Sequence, residues 1–284
     1  MNKKTMIRRM KKSKFFLIGG IGLMLIILLC LLSPLFVRFD PIESDLTMRL
    51  TPPEWFRNGL NGHILGTDAL GRDILTRLLM GGRASLFIAF AVVIPSALIG
   101  CVLGLLSGYF SGKVDNVIMR FCDIMMATPS LLLAICIVAV MGSSFFNLII
   151  TLIITSWVIG ARVVRGTVLA IRESEYVQAA RVMGMSNLKI MVTEILPNVV
   201  TPLIINESQH FGAIILTEAS MSFLGMGVPL PTPSWGTMIS DGRQYIASAP
   251  WVVIVPGMAL MLTVLFLNFL GDGFRDVLDP KNKD

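Results

Sequence analysis

Charge-free apolar windows of about 20 residues recur along this 284-residue chain, and no other feature limits its possible folds so tightly. A helix rising about 1.5 Å per residue needs that length to cross about 30 Å of hydrocarbon, where every backbone N–H and C=O has to bond internally. Six apolar windows stand out, at residues 15–37, 84–110, 124–141, 145–160, 199–224 and 250–270, all free of charge except 199–224, which holds Glu207 and Glu218. Hydrophobic residues make up 54% of the chain and charged residues only 15%, which excludes an ordinary soluble domain. The expected fold is an all-α integral membrane protein with six transmembrane helices.

No charge occurs between Ile124 and Ala161, a run too long for one helix. The stretch "MGSSFFN" divides it, because Gly142 can terminate a helix and Ser143 or Ser144 can cap the next. The first window could be a cleaved signal peptide, but it exceeds an apolar h-region and no small-x-small site follows, so a retained anchor is expected. Orientation follows from Lys and Arg, which favour the cytoplasmic side. With both termini inside, 17 of the 24 fall on inner segments and seven on outer ones. The net charge of +6 then belongs to the inner membrane face, where anionic lipid is expected, and calls for no nucleic acid. Two parts are expected: residues 1–83, comprising the N-terminal tail, first anchor and outer loop, and residues 84–284, a five-helix remainder with a cytoplasmic loop at about 162–198. The four cysteines show no metal spacing and no pairing in outer loops, and read as packing residues.

That cytoplasmic loop holds the densest cluster of charge in the apolar part of the chain, with Arg165, Arg172, Glu173, Glu175, Arg181, Lys189 and Glu194. Good helix formers run from Glu175 to Met183, Gly184 can stop them in a left-handed cap, and Ser186 or Asn187 can begin a second helix that lasts until Pro197. Two readings stand side by side: an amphipathic loop on the lipid surface, or a docking element offering Glu175 and Arg181 to a cytoplasmic partner.

"QAARVMG" followed by "EILPN" resembles the EAA motif of permease subunits from ATP-binding-cassette importers. Ala179, Ala180, Gly184, Leu196 and Pro197 match it, while Gln178 stands where the motif has Glu and Glu194 where it has Ile. "HILGTDALGRDILTRLLMGGRASL", "EASMSFLGMGVPLPTPSWGTMI" and "GDGFRDVLDP" look like the corresponding segments of dipeptide, oligopeptide and nickel importer permeases. The resemblance runs from about Phe15 to Pro280. It implies that Glu175, Gln178, Ala179, Ala180, Arg181, Gly184, Leu196 and Pro197 form the coupling element for a separate ATPase. It also implies a second homologous permease subunit, two cytoplasmic ATPase subunits and an extracytoplasmic substrate-binding protein, in a multi-pass cytoplasmic-membrane assembly. ATP would be bound by the partner subunits, with no cofactor and no metal in this chain.

The residues allow their own readings beside that one. In "LGTDALGRD", Thr67 or Asp68 can cap an outer helix with Leu70, Ile74, Leu75, Leu78 and Leu79 as an apolar stripe and Arg72, Asp73 and Arg77 facing water. Such a helix is expected on the outer membrane surface, as a strut or as a contact for a binding protein. "GVPLPTPSWG" is expected to form a rigid outer loop with Trp235 anchored near the interface. The fifth window carries Glu207, His210 and Glu218 within an arc of about 80°, and ionisable groups in a span are costly unless they face protein or water. They line a translocation path, or Glu207 and His210 form a buried structural pair.

The chain has no phosphate-loop motif, no H-E-x-x-H and no nucleophile elbow, so catalysis is not expected of it. By resemblance it is the permease of an ATP-driven importer of short peptides, dipeptides or oligopeptides. A nickel or metal-chelate permease is one alternative. An ion-coupled secondary transporter using Glu207, His210 and Glu218 is the alternative of another class.

Overall fold

A computed structural model describes residues 3–37, 39–54 and 62–278. The end of the C-terminal tail, including Asp279 and Pro280 of the "GDGFRDVLDP" stretch, lies outside the described residues, as does Arg38. The helices, in chain order, are α1 (Lys3–Lys12), α2 (Lys14–Leu31), α3 (Ser33–Phe36), α4 (Ile74–Phe110), α5 (Gly112–Ala127), α6 (Ser130–Met141), α7 (Phe145–Ile171), α8 (Glu175–Val182), α9 (Asn187–Ile190), α10 (Leu196–Phe223), α11 (Trp235–Gly242) and α12 (Trp251–Leu278). No strand occurs among the described residues, only one isolated antiparallel bridge between Thr67 and Asp73.

Among the described residues, five helices are long and apolar enough to cross a membrane: α2, α4, α7, the continuous segment Asn187–Phe223 and α12. The expected third span is not a straight helix. The α5–α6 pair bends by 91° around Thr128 and Pro129, and only if this pair counts as one span does the total reach six. Proline lacks the N–H that would continue the ladder and forces the residue before it out of helical geometry. Thr128 accordingly has φ −104° and ψ 133°. The 12 residues of α6 rise only about 18 Å. Four of the other windows are longer than read, and α4 and Asn187–Phe223 each have 37 residues, or about 55 Å; the first is shorter, α2 ending at Leu31. Between α6 and α7 the expected turn is present, with Gly142 at φ +85° and the Ser144 hydroxyl accepting from the Asn147 amide at 3.0 Å.

Small residues set how closely the long helices approach. Gly100, Gly104 and Gly108 form a Gly-xxx-Gly-xxx-Gly stripe on α4 that lies against α7. A Cβ on Gly100 would sit 2.8 Å from the Trp157 carbonyl oxygen, and one on Gly108 2.7 Å from Val168 Cβ. Close backbone approach of this kind supplies the dispersion contacts that hold helices together where apolar burial alone gives no preference over lipid. Gly19 and Gly273 serve the α2–α12 contact in the same way, meeting the backbone of Leu270 and Phe16.

Outside the long helices, the segment before α4 differs from expectation. The stripe Ile74, Leu75, Leu78 and Leu79 belongs to α4 itself, whose N-cap is Asp73. Arg72, Asp73 and Arg77 do not face water; all three are buried. Arg72 Nε donates to Asp68 Oδ2 at 2.7 Å, Arg77 lies 3.4 Å from Asp68, and both arginines reach Asp241, on α11, at 3.4 and 3.7 Å. Buried charges persist because they are paired, and here pairing ties the segment before α4 to α11. Trp235 is buried within the protein: it is 1% exposed and its indole N–H donates to the Leu78 carbonyl at 3.0 Å. In the same loop, donation from the Thr47 hydroxyl and amide holds the exposed Asp45 carboxyl below its usual value.

Candidate functional site: the Glu175–Pro197 segment and the polar face of α10

The segment after α7 begins with Ser174 in extended geometry at the N-cap of α8. Glu175 stands in the first turn of that helix, where the partial positive charge of free N–H groups favours an acid. The helix ends as Gly184 was expected to end it, with φ +79°. Gly184 N–H bonds to the Arg181 carbonyl at 3.0 Å and Met185 N–H to the Ala180 carbonyl at 3.1 Å, the paired bonds of a Schellman cap. Expectation fails for the second helix: it does not stop at Pro197. Helix α9 passes through one π-helical turn, Met191–Ile195, into α10. Pro197 is the second residue of α10, directly after the π-helical turn, so the backbone bond its missing N–H cannot make falls at that irregular turn.

One face of this segment packs into the protein. Val177, Ala180, Ile190, Met191 and Ile195 are buried with Tyr109, Val164, Val168 and Val199, so the loop shares a core with the ends of α4, α7 and α10. Polar contacts pin the same edge. Tyr109 O–H donates to Asn187 Oδ1 at 2.8 Å, and the Arg181 guanidinium lies 5.8 Å from the centroid of the Tyr109 ring. Arg172 Nη1 donates to the Gly108 carbonyl at 3.1 Å and also to Ser111 Oγ. Beneath, Arg165 grips Asp115 with two bonds of 2.5 and 2.6 Å, and Asp115 accepts a third from Ser107.

The other face is bare. Val182 is 88% exposed, Met183 76% and Leu188 69%, and nothing lies within 4 Å of where a Gly184 Cβ would be. Of the residues singled out in sequence, Glu175, Ala179, Arg181, Gly184 and Pro197 are exposed, Gln178 and Leu196 are half-buried, and Ala180 is buried. Gln178 donates to Glu173 Oε2 at 3.3 Å. The sequence reading missed Tyr109 and Asp115, which hold the segment in place, and took Asn187 only as a helix start, without its bond to Tyr109. Asp115, between Val114 and Asn116, carries no local mark of its partner Arg165, 50 residues further on.

Along α10 the three ionisable residues separate into two places. His210 Nδ1 and Glu207 Oε2 are 3.4 Å apart, and Asn206 donates to Glu207 Oε1 at 3.0 Å. Glu207 points at α7, where Gly160 leaves room; a Cβ there would meet Oε1 at 2.9 Å. Glu218 is eleven residues and about 16 Å further along. It is 1% exposed, accepts from Ser85 Oγ on α4 at 3.0 Å and from Ser222 Oγ at 2.7 Å, and joins α10 to α4. Among the described residues, no group of three or more His, Cys, Asp or Glu side chains has a metal-holding arrangement.

With this geometry in hand, comparison with known proteins is informative. Residues 100–284 match the family described as binding-protein-dependent transport system inner membrane component, and residues 4–53 match the N-terminal TM domain of oligopeptide transport permease C. The chain is 44% identical over 268 residues to the di/tripeptide transport system permease protein DppC of Pseudomonas aeruginosa, covering 94% of this chain and 88% of that one. It is 38% identical over 273 residues to the oligopeptide transport system permease protein OppC of Bacillus subtilis, covering 96% and 88%. The fold is similar to that in a structure of inward facing conformations of the MetNI methionine ABC transporter, with a TM-score of 0.59 at 20% identity over 72% of this chain and 97% of that one.

Proposed function

The chain belongs to the family of binding-protein-dependent transport system inner membrane components, and from that premise we propose that it is the permease subunit of an ATP-driven importer that carries short peptides. The cargo class is supported by relatives named for di/tripeptide, dipeptide and oligopeptide transport. In this reading the chain pairs with a second homologous permease, two cytoplasmic ATPases work from inside, and an extracytoplasmic binding protein delivers cargo from outside. Both termini and the Glu175–Pro197 segment are cytoplasmic, in keeping with the distribution of Lys and Arg.

The observation that carries the proposal is the two-sidedness of the Glu175–Pro197 segment. Its bare apolar tip at Val182, Met183 and Leu188 is fit to enter a groove on an ATPase, and its inner face is packed and hydrogen-bonded to three long helices. A push on the tip therefore moves α4, α7 and α10 together, because a close-packed interface transmits displacement and does not absorb it. Glu207 and His210 form the polar part of the path between α7 and α10. Glu218, closed between Ser85 and Ser222, braces the helices at the other end of α10.

The test is uptake of a labelled tripeptide into proteoliposomes holding the assembled transporter. Uptake requires ATP on the ATPase side and the peptide-loaded binding protein on the other. Uptake that persists without ATP under an imposed proton or sodium gradient contradicts the proposal and favours ion-coupled transport; uptake of nickel or a metal chelate in place of the tripeptide reassigns the cargo.

A further inference from the structure

A cleft of about 580 Å³ opens between the first outer loop and the turn after α11, lined among others by Arg49, Arg72, Asp241, Arg243 and Tyr245. Its charge is unbalanced. Arg72 and the neighbouring Arg77 are already set against Asp68 and Asp241, two guanidinium groups against two carboxylates. Arg49 and Arg243 are extra, and among the described residues neither has a carboxylate partner. Each is instead held over an aromatic ring: Arg49 lies 5.7 Å from the Tyr245 centroid and donates to its hydroxyl at 3.2 Å, and Arg243 lies 5.5 Å from the Phe223 centroid. Stacking of this kind limits the rotamer freedom of a guanidinium and leaves its N–H fork open to a carboxylate. The rim adds Leu46, Leu70 and Leu230, at 68%, 43% and 70% exposure.

We propose that this cleft is where the extracytoplasmic binding protein seats an acidic surface segment with an apolar residue at its centre. The inference rests on the reading above, that such a partner exists and that this end of the bundle faces outward. The cleft supplies what such a segment needs. Two surplus cations draw it in and fix its register, which is the usual work of charge at a rim. The leucines give its apolar residue something to bury against. The floor does not yield, because the buried Arg72, Arg77, Asp68 and Asp241 cluster bonds loop and helix together.

The experiment is binding of the purified, peptide-loaded binding protein to the assembled transporter in nanodiscs, with Arg49→Glu/Arg243→Glu against the unaltered protein. Both side chains are exposed and outside the buried cluster, so assembly and basal ATP hydrolysis stay unchanged. Affinity at low salt falls about tenfold or more in the variant, and most of the difference disappears at about 0.5 M salt, where charges are screened within a few ångström. A second measurement does not depend on that variant: a thiol at Leu46→Cys is protected from an impermeant maleimide by the loaded binding protein. Equal affinity and equal salt dependence, or an unprotected thiol in the bound complex, overturns the assignment of the cleft. Absence of binding to the unaltered transporter overturns the partner reading itself. Protection of the thiol by anionic lipid vesicles alone shows a headgroup site and contradicts the proposal.

Discussion

Tyr109 donates its phenolic O–H to Asn187 Oδ1 across 2.8 Å, joining the last turn of α4 to the first turn of α9, 78 residues later in the chain. This bond crosses from a membrane-length helix to the segment proposed to meet the ATPase. It makes the segment part of the framework.

Removing the hydroxyl tests that link. Tyr109→Phe keeps the ring that Arg181 covers and loses one hydrogen bond, which costs about 1 kcal/mol. The expected result is a small drop in the melting temperature of the purified complex. A larger rise is expected in ATP hydrolysed per peptide imported, measured in the same proteoliposomes. Unchanged coupling would show that the Tyr109 contact carries no motion.

Arg165 and Asp115 form a second connection, with two bonds of 2.5 and 2.6 Å in a half-buried setting. Asp115→Asn and Arg165→Gln should each cost about 1–3 kcal/mol, since hydrogen bonds to charged groups are among the stronger ones. The double variant should cost less than the two added together. Chemical denaturation of the four proteins gives the coupling energy, and a value near zero contradicts a direct pairing.

The glycine stripe predicts a sharp positional effect. In Gly104→Leu the new side chain meets Ala161 backbone and Val164 Cβ, at 2.7 Å for the latter, so α4 and α7 have to separate. We expect lost assembly and a protease-sensitive protein. Gly166→Leu, at an exposed position on α7 where a Cβ would meet nothing within 4 Å, is the control and should assemble normally.

On α10 the two acidic sites should respond differently. Glu207→Gln is expected to leave assembly intact and to change transport rate or the order of preference among peptides. Glu218→Leu strands the Ser85 and Ser222 hydroxyls inside the protein and is expected to reduce assembly, with an effect of about 1–3 kcal/mol per unsatisfied group. Size-exclusion profiles and uptake of paired peptides measure both. Loss of assembly in Glu207→Gln would return it and His210 to a structural pair.

How legible this was in sequence varied with how local the cause is. Gly184 was legible because a left-handed cap needs only the residue itself, and the long apolar windows because hydrocarbon thickness imposes a length on any chain. The break at Pro129 was equally local, yet the uninterrupted apolar run on both sides hid it. Burial of Arg72, Asp73 and Arg77 was not legible. A helical wheel sends such charges to water; what keeps the two arginines inside is Asp68 together with Asp241, 169 residues beyond Arg72, while Asp73 is held by His63 and Thr76. The candidate segment was read correctly in its exposed cap and wrongly at Pro197. A proline usually ends or bends a helix, but here the run continues through it from Asn187 to Phe223, with the irregularity taken up by the π-helical turn just before it.

The central claim is that the Glu175–Pro197 segment docks an ATPase, and Gly184→Arg tests it most directly. The position is exposed, with φ +79° and nothing within 4 Å of where a Cβ would be, so the substitution costs roughly 1 kcal/mol locally. The measurement is co-purification of the ATPase subunits with the affinity-tagged permease from membranes, with Thr232→Arg in the exposed opposite loop as control. The account predicts a normal membrane level for both variants, full ATPase recovery with Thr232→Arg, and loss of ATPase recovery and peptide import with Gly184→Arg. Full ATPase recovery and full import in the Gly184 variant contradict it, and leave the segment as an amphipathic loop on the lipid surface.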